Sequence, residues 1–178
     1  ADIVTLATDF SGTIDLAGGT DRLITSNGSN SITVQNVETV TGGSGADTIT
    51  IGTTAAVVIS AGAGDDTIYA GQGADTFTLG TGSDTLVYSA TNQSPTGTAD
   101  TVSDFNVSAD LLFFSGLQAG TFSYLGSGAF TGGSDDSEAR MAGSVLQVDT
   151  DGDGTADMNI TLTGVTSSTL TGANFIWT

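Results

Sequence analysis

Residues 42–50 read GGSGADTIT, 61–69 AGAGDDTIY, 70–78 AGQGADTFT and 79–87 LGTGSDTLV. The four align without gaps at a period of nine. Position 2 is Gly43, Gly62, Gly71 and Gly80, and position 4 is Gly45, Gly64, Gly73 and Gly82. Position 6 is Asp47, Asp66, Asp75 and Asp84, position 7 is always Thr, and position 8 is Ile49, Ile68, Phe77 and Leu86. The stretch 52–60, GTTAAVVIS, fits at Gly52 and Ile59 but has Val57 where the Asp should be, and the extra Ile51 shifts the register before it. A repeat of this kind has to be read before anything else, because it sets the whole architecture.

The physical reading starts from the glycines. A six-residue turn rich in Gly lets the backbone bend at φ values that other residues resist. The next three residues point outward, inward and outward, the alternation of a strand with one buried side chain. Two such units make one flattened coil of about 18 residues, and stacked coils align their inward residues into a thin core. The expected fold is therefore all-β, a parallel β-roll (β-solenoid). Its edges are ladders of turns 18 residues apart. Aspartates stacked this way repel one another, and a divalent cation between successive turns removes the repulsion and ties carbonyls left free by the bends.

Composition points to the same ion. The chain has 178 residues with 20 acids and 2 bases, a formal net charge of −18, and it has 26 Gly, 1 Pro, no Cys and no His. Only Glu38 and Glu138 are Glu, both bases are arginines, and there is no Lys. Imidazole and thiol catalysis, soft-metal sites, disulfides and lysine chemistry are excluded. The charge repels nucleic acid and anionic membranes, and no apolar run approaches the roughly 20 residues of a membrane span. Hard, oxygen-loving cations have many ligands here, which points to Ca²⁺. At 38% hydrophobic residues, the chain has material for a core and is not a disordered acidic tail. Aspartates placed by a repeat need no catalytic explanation, so the chain reads as not an enzyme.

Turns 42–47, 61–66 and 79–84 share one edge. Two interfaces follow, Asp47 with Asp66 and Asp66 with Asp84. On the opposite edge only 70–75 keeps its Asp, so Asp75 completes a third site if Asp100 or Asp104 reaches it. Asp65 is expected to face solvent.

The nonapeptide resembles the GGxGxDxUx repeat of the RTX, or hemolysin-type calcium-binding, family. The resemblance implies that turn carbonyls complete the coordination, here those of Gly43, Gly45, Gly62, Gly64, Gly80 and Gly82. The segment 99–117, ADTVSDFNVSADLLFFSGL, resembles the stretch that follows the β-roll in serralysin-type proteases, with Asp104-Phe105 as its Asp-Phe pair. Read from residues alone, Val107–Asp110 is a hairpin turn between core strands. Residues 144–163, SVLQVDTDGDGTADMNITLT, read as strand, acidic turn and strand. Asp149, Asp151, Asp153 and Asp157 occupy positions 1, 3, 5 and 9 of an EF-hand-type loop with Gly154 at position 6, but position 12 is Ile160 rather than a bidentate Glu. The stretch also resembles the late hairpin of the serralysin C-terminal domain. LTGANFIWT (170–178) resembles the uncleaved export signal of type I secreted proteins, and reads equally as a last strand covering the core.

Three regions are expected. Residues 1–40 lack the glycine turns but show alternating strands, and are read as calcium-free β-solenoid coils. Residues 41–98 form the calcium-binding β-roll, and 99–178 a C-terminal β cap with a β-hairpin and sandwich-like packing. The chain starts at Ala1 without a signal peptide and is expected to be the C-terminal piece of a longer protein. Arg22 and Arg140 are expected to pair with nearby acids on the surface.

The resemblance implies a calcium-dependent folding and export module of a type I secreted protein, extracellular or at the surface of a Gram-negative bacterium, with the type I secretion apparatus as a partner. The absence of Lys and Cys beside abundant Thr, Gly and Ala looks like S-layer and surface-adhesin proteins, which would add calcium-bridged self-assembly. The alternatives are a carbohydrate-binding accessory module, with calcium bridging a cell-surface polysaccharide, and the C-terminal domain of a secreted protease or lipase.

Overall fold

The structure is a computed structural model, and it describes residues 1–133 and 135–178. Two sheets face each other across a thin core. The first is built in chain order from β1 (Ile3–Thr5), β3 (Arg22–Ile24), β5 (Thr39–Thr41), β7 (Val58–Ala63), β9 (Thr76–Thr81) and β11 (Asp100–Val102). It then continues through β16 (Met158–Leu162), β15 (Val145–Asp149), β14 (Ser137–Ala142) and β13 (Phe122–Tyr124). The second runs β2 (Ser11–Asp15), β4 (Ser31–Gln35), β6 (Thr48–Ile51), β8 (Thr67–Tyr69), β10 (Thr85–Tyr88), β12 (Leu111–Phe114) and β17 (Phe175–Trp177). Odd and even strands alternate between the sheets as far as β12, so the chain winds as a solenoid. Its neighbouring strands pair in parallel, as the nonapeptide requires.

The inward position of each unit stacks in register. Leu23, Val40, Ile59, Phe77 and Val102 form one column. Ile32, Ile49, Ile68, Leu86 and Leu112 form the other. All ten are buried. Each such side chain contributes about 1.5–3 kcal/mol on leaving water, so the columns carry the fold, and the Thr residues flanking them lie on the outer faces.

The solenoid starts upstream of the glycine repeats. β1 pairs with β3 and β2 with β4, both in parallel, so residues 1–40 wind as coils of the same kind. At the other end the strand pairing turns partly antiparallel. β14, β15 and β16 form an antiparallel meander, with β16 laid parallel on β11. An aromatic cluster closes this end: Phe114 stacks on Trp177 at 4.4 Å and on Tyr88 at 5.9 Å, and Trp177 stacks on Phe122 at 4.3 Å.

Two local expectations change. The Val107–Asp110 stretch is not a hairpin turn, because β11 and β12 lie in opposite sheets; it is one more solenoid turn, lengthened by an insertion. Among the described residues, neither arginine meets an acid. Arg22 donates to the Thr41 hydroxyl at 3.2 Å, and Arg140 donates to Gln147 Oε1 at 2.9 Å while lying over the Phe130 ring.

Candidate metal centre

Along each edge of the solenoid the position-6 side chains build a hydrogen-bonded ladder. On the first edge, Asp66 Oδ1 accepts the Asp47 N–H at 2.7 Å and Asp84 Oδ1 accepts the Asp66 N–H at 2.9 Å. Each carboxylate therefore leans back onto the coil before it. The ladder extends beyond the glycine repeats in both directions. Asp110 Oδ1 accepts the Asp84 N–H at 3.1 Å, and Asp47 Oδ1 accepts the Asn30 N–H at 2.8 Å. On the second edge, Asp75 Oδ1 accepts the Val57 N–H and Asp100 Oδ1 accepts the Asp75 N–H, at 2.8 and 2.7 Å. Further up that edge, Glu38 Oε2 accepts the Asp21 N–H at 2.6 Å.

The second oxygens decide the chemistry. Asp66, Asp75 and Asp84 are each 1% exposed, and their Oδ2 atoms are buried with no hydrogen-bond partner among the described residues. A buried acceptor left unpaired costs about 1–3 kcal/mol, more for a charge, so two of them on the first ladder and one on the second call for a cation. Burial pushes the Asp66 carboxyl up to about 7, with the charges of Asp84, Asp47 and Asp65 adding to the effect. Burial likewise lifts Asp75 and Asp84 to about 6. These groups resist ionising without a positive partner.

The glycines at position 2 set the spacing of the turns. Gly62 has φ +115 and Gly80 has φ +99. A Cβ on Gly62 would overlap the carbonyl oxygen of Gly43, and one on Gly80 that of Gly62. Position 4 behaves alike, with Gly64 over Gly45 and Gly82 over Gly64. Turn carbonyls therefore stack coil on coil along the edge that carries the carboxylates, and carbonyls with carboxylates make an all-oxygen donor set that fits a hard cation such as calcium.

At the ends of the ladders, neutral groups supply the missing donors. Asp110 Oδ2 accepts the Asn106 N–H at 2.8 Å. Asp100 Oδ2 accepts the hydroxyl of fully buried Tyr88 at 2.9 Å, so its two oxygens are taken, though burial still lifts its carboxyl to about 7. Asp104 sits beside the 79–84 turn, where its oxygens accept the N–H groups of Leu79 and Gly80. Asp100 thus reaches Asp75, and Asp104 does not join that pair. Asp65 accepts the Ser83 N–H at 2.8 Å at the surface.

The acidic hairpin loop is a separate place. Asp149, Asp151 and Asp153 can bring one oxygen each within 4.8 Å of one another. Asp149 is fully buried, and its two oxygens accept the Gly152 and Gly154 N–H groups at 2.7 and 2.8 Å. Asp157 accepts both the N–H and the hydroxyl of Thr150. These bonds brace the turn.

The residues missed from sequence are Asp21, Asn30, Glu38, Tyr88 and Asp110. Two signals were present. LAGGTD (16–21) has the Leu, Gly and Asp of LGTGSD (79–84), with Ala17 at φ +61 in place of the glycine; TSNGSN (25–30) keeps Gly28 and puts Asn30 at the Asp position. Asp110 was hidden by the insertion before it, which places it 26 residues after Asp84.

A family model, peptidase M10 serralysin C terminal, matches residues 17–176. No curated protein matches the chain. Among solved structures, the solution structure of the AlgE6R3 subunit from the Azotobacter vinelandii mannuronan C5-epimerase is 26% identical. The match covers 96% of this chain and 80% of that one, with a TM-score of 0.45.

Proposed function

The chain belongs to the serralysin C-terminal family of calcium-binding repeat domains of secreted proteins, and from that premise we propose that it is a calcium-dependent folding and export module of a type I secreted protein. The observation that carries the reading is the set of buried, unpaired Oδ2 atoms on Asp66, Asp84 and Asp75. Each lies on an edge where the turns stack coil on coil.

In this reading Asp66 and the carbonyls of Gly43 and Gly45 hold one ion, and Asp84 with the carbonyls of Gly62 and Gly64 a second. Asp75 offers a third site, where Val57 leaves the facing turn without a carboxylate. Asp47 serves the first site from the coil below. Calcium, when bound, supplies the positive charge and oxygen coordination that the stacked carboxylates lack. Residues 41–98 take the ion, residues 1–40 continue the coils without it, and 99–178 cover the open end. The carboxylates have a structural task and no catalytic one.

Export follows from the energetics. With a net charge of −18 and few bases to offset it, the ladders oppose compaction at low calcium, and a loose chain suits passage through a narrow channel. Ligand that binds only the folded form stabilises it by RT ln(1 + [L]/Kd). At about 1 mM free calcium and a Kd on the order of 10⁻⁴ M, each site adds about 1.4 kcal/mol. Three add about 4 kcal/mol, comparable to the whole stability of a small domain.

The test is a calcium titration followed by far-UV circular dichroism, comparing the natural chain with Asp66→Ala. The natural chain should gain β signal cooperatively, and the variant should need several-fold more calcium. Superimposable curves would refute the stacked-turn assignment.

A further inference from the structure

We propose that the side-chain amide of Asn30 is a built-in substitute for a metal ion, and that it ends the first ladder on its N-terminal side. The proposal rests on the reading of that ladder as a column of cation sites.

The turn 25–30 stacks on 42–47 in the same register in which 42–47 stacks on 61–66. A Cβ on Gly43 would overlap the Ser26 carbonyl oxygen as one on Gly62 would overlap that of Gly43, and Gly45 lies over Gly28 as Gly64 lies over Gly45. Strand pairing agrees, with Ser31 opposite Thr48 and Thr48 opposite Thr67. The carbonyls of Ser26 and Gly28 and the carboxylate of Asp47 are thus the counterparts of the Gly43 and Gly45 carbonyls and the Asp66 carboxylate.

One atom sits among those three acceptors. Asn30 Nδ2 donates to Gly28 O and Asp47 Oδ1, both at 2.9 Å, and lies 3.4 Å from Ser26 O. Asn30 is 2% exposed. Its Oδ1 meanwhile accepts the Phe10 N–H at 3.0 Å, the backward hydrogen bond that each aspartate of the ladder makes. An asparagine keeps that bond, brings no charge, and adds a donor pointing where a cation would otherwise be needed. The Thr25 hydroxyl lies 3.4 Å from Asp47 Oδ2. Asp47 is accordingly absent from the orphaned carboxylates that include Asp66 and Asp84 in the next two coils.

The consequence is a boundary. The interface between coils 25–30 and 42–47 closes without calcium, and it gives the first metal-requiring interface a preformed coil to fold against. Changing Asn30 to Asp removes the donor, adds a charge, and leaves the three oxygen groups facing a carboxylate, so it should turn this interface into one more cation site.

Calorimetric calcium titrations of the whole chain test this directly, with wild type, Asn30→Asp and Asn30→Ala compared. The expected result is one additional ion per chain for Asn30→Asp and no additional ion for Asn30→Ala. A second measurement needs no variant. In the calcium-saturated natural chain, the Asn30 side-chain amide protons should exchange with solvent at least tenfold more slowly than those of exposed Asn27. An Asn30→Asp chain that folds with unchanged stoichiometry, or that does not fold at any calcium concentration, overturns the inference, as does fast exchange of the Asn30 amide. A natural chain that binds no calcium would instead sink the ladder reading on which the inference rests.

Discussion

Two kinds of side chain hold each coil, and they fail differently when changed. Ile68 is fully buried between Ile49 and Leu86 in the core column. Ile68→Ala should cost about 2–5 kcal/mol through lost burial and the cavity left behind, with or without calcium, measurable as a shift of the denaturant midpoint. Gly80→Ala acts on the turn instead. It places a side chain at φ +99 and into the space of the Gly62 carbonyl oxygen, so strain of about 1–3 kcal/mol is expected. Because that carbonyl is among the proposed ligands, the variant should also bind calcium more weakly, whereas Ile68→Ala should leave the intrinsic affinity of the folded chain unchanged. The repeat made both residues legible, since position 8 and position 2 recur at fixed offsets. Asn30 was not legible, because its role depends on what its amide meets on the neighbouring coil, 17 residues away.

Elements matter most where the repeat stops. The lengthened turn between β11 and β12 joins opposite sheets and puts Asp110 on the ladder, so an apparent hairpin is a coil with an insertion. Sequence alone could not separate these readings: a short polar turn between apolar strands has the same pattern in both, and only pairing with β10 distinguishes them. The C-terminal strand β17 lays Phe175 beside Leu112 and Trp177 beside Phe114, closing the second sheet. Phe114 is fully buried and stacks against Tyr88, Phe175 and Trp177. Phe114→Ala should cost about 3–5 kcal/mol, and proteolysis at saturating calcium should then begin within the C-terminal region before the coils. In the acidic hairpin, Asp149→Ala strips acceptors from the Gly152 and Gly154 N–H groups. A loss of about 1–3 kcal/mol is expected even in calcium-free buffer, which thermal melts with chelator would register.

The molecule as a whole should answer to pH in opposite ways with and without the ion. An unfolded Asp titrates near 3.8, whereas folded and metal-free Asp66 and Asp100 are lifted to about 7, and Asp75 and Asp84 to about 6. Between these values the folded chain binds more protons than the unfolded one, so stability falls as pH rises through the window. The penalty is complete above about 7 and vanishes below about 4. Calcium-free protein should therefore melt at a higher temperature at pH 5 than at pH 8. Protons and calcium compete for the same carboxylates, so the gain in melting temperature from millimolar calcium should be largest at pH 8 and shrink toward pH 5. A calcium-free melting temperature that rises with pH across this range would contradict the burial of the ladder.

The nine-residue recurrence by itself determined the parallel winding, the inward columns and the edge on which Asp47, Asp66 and Asp84 align, because each of these follows from periodicity within a single unit. Tertiary structure alone decided which carboxylate oxygens are left unpaired and which are met by Asn30, Tyr88 or the Asn106 N–H, and that Asp110 joins the ladder across its insertion. The physical reason is that a hydrogen bond across an interface depends on the contents of two coils and on the insertions between them, and no local pattern records how those coils meet.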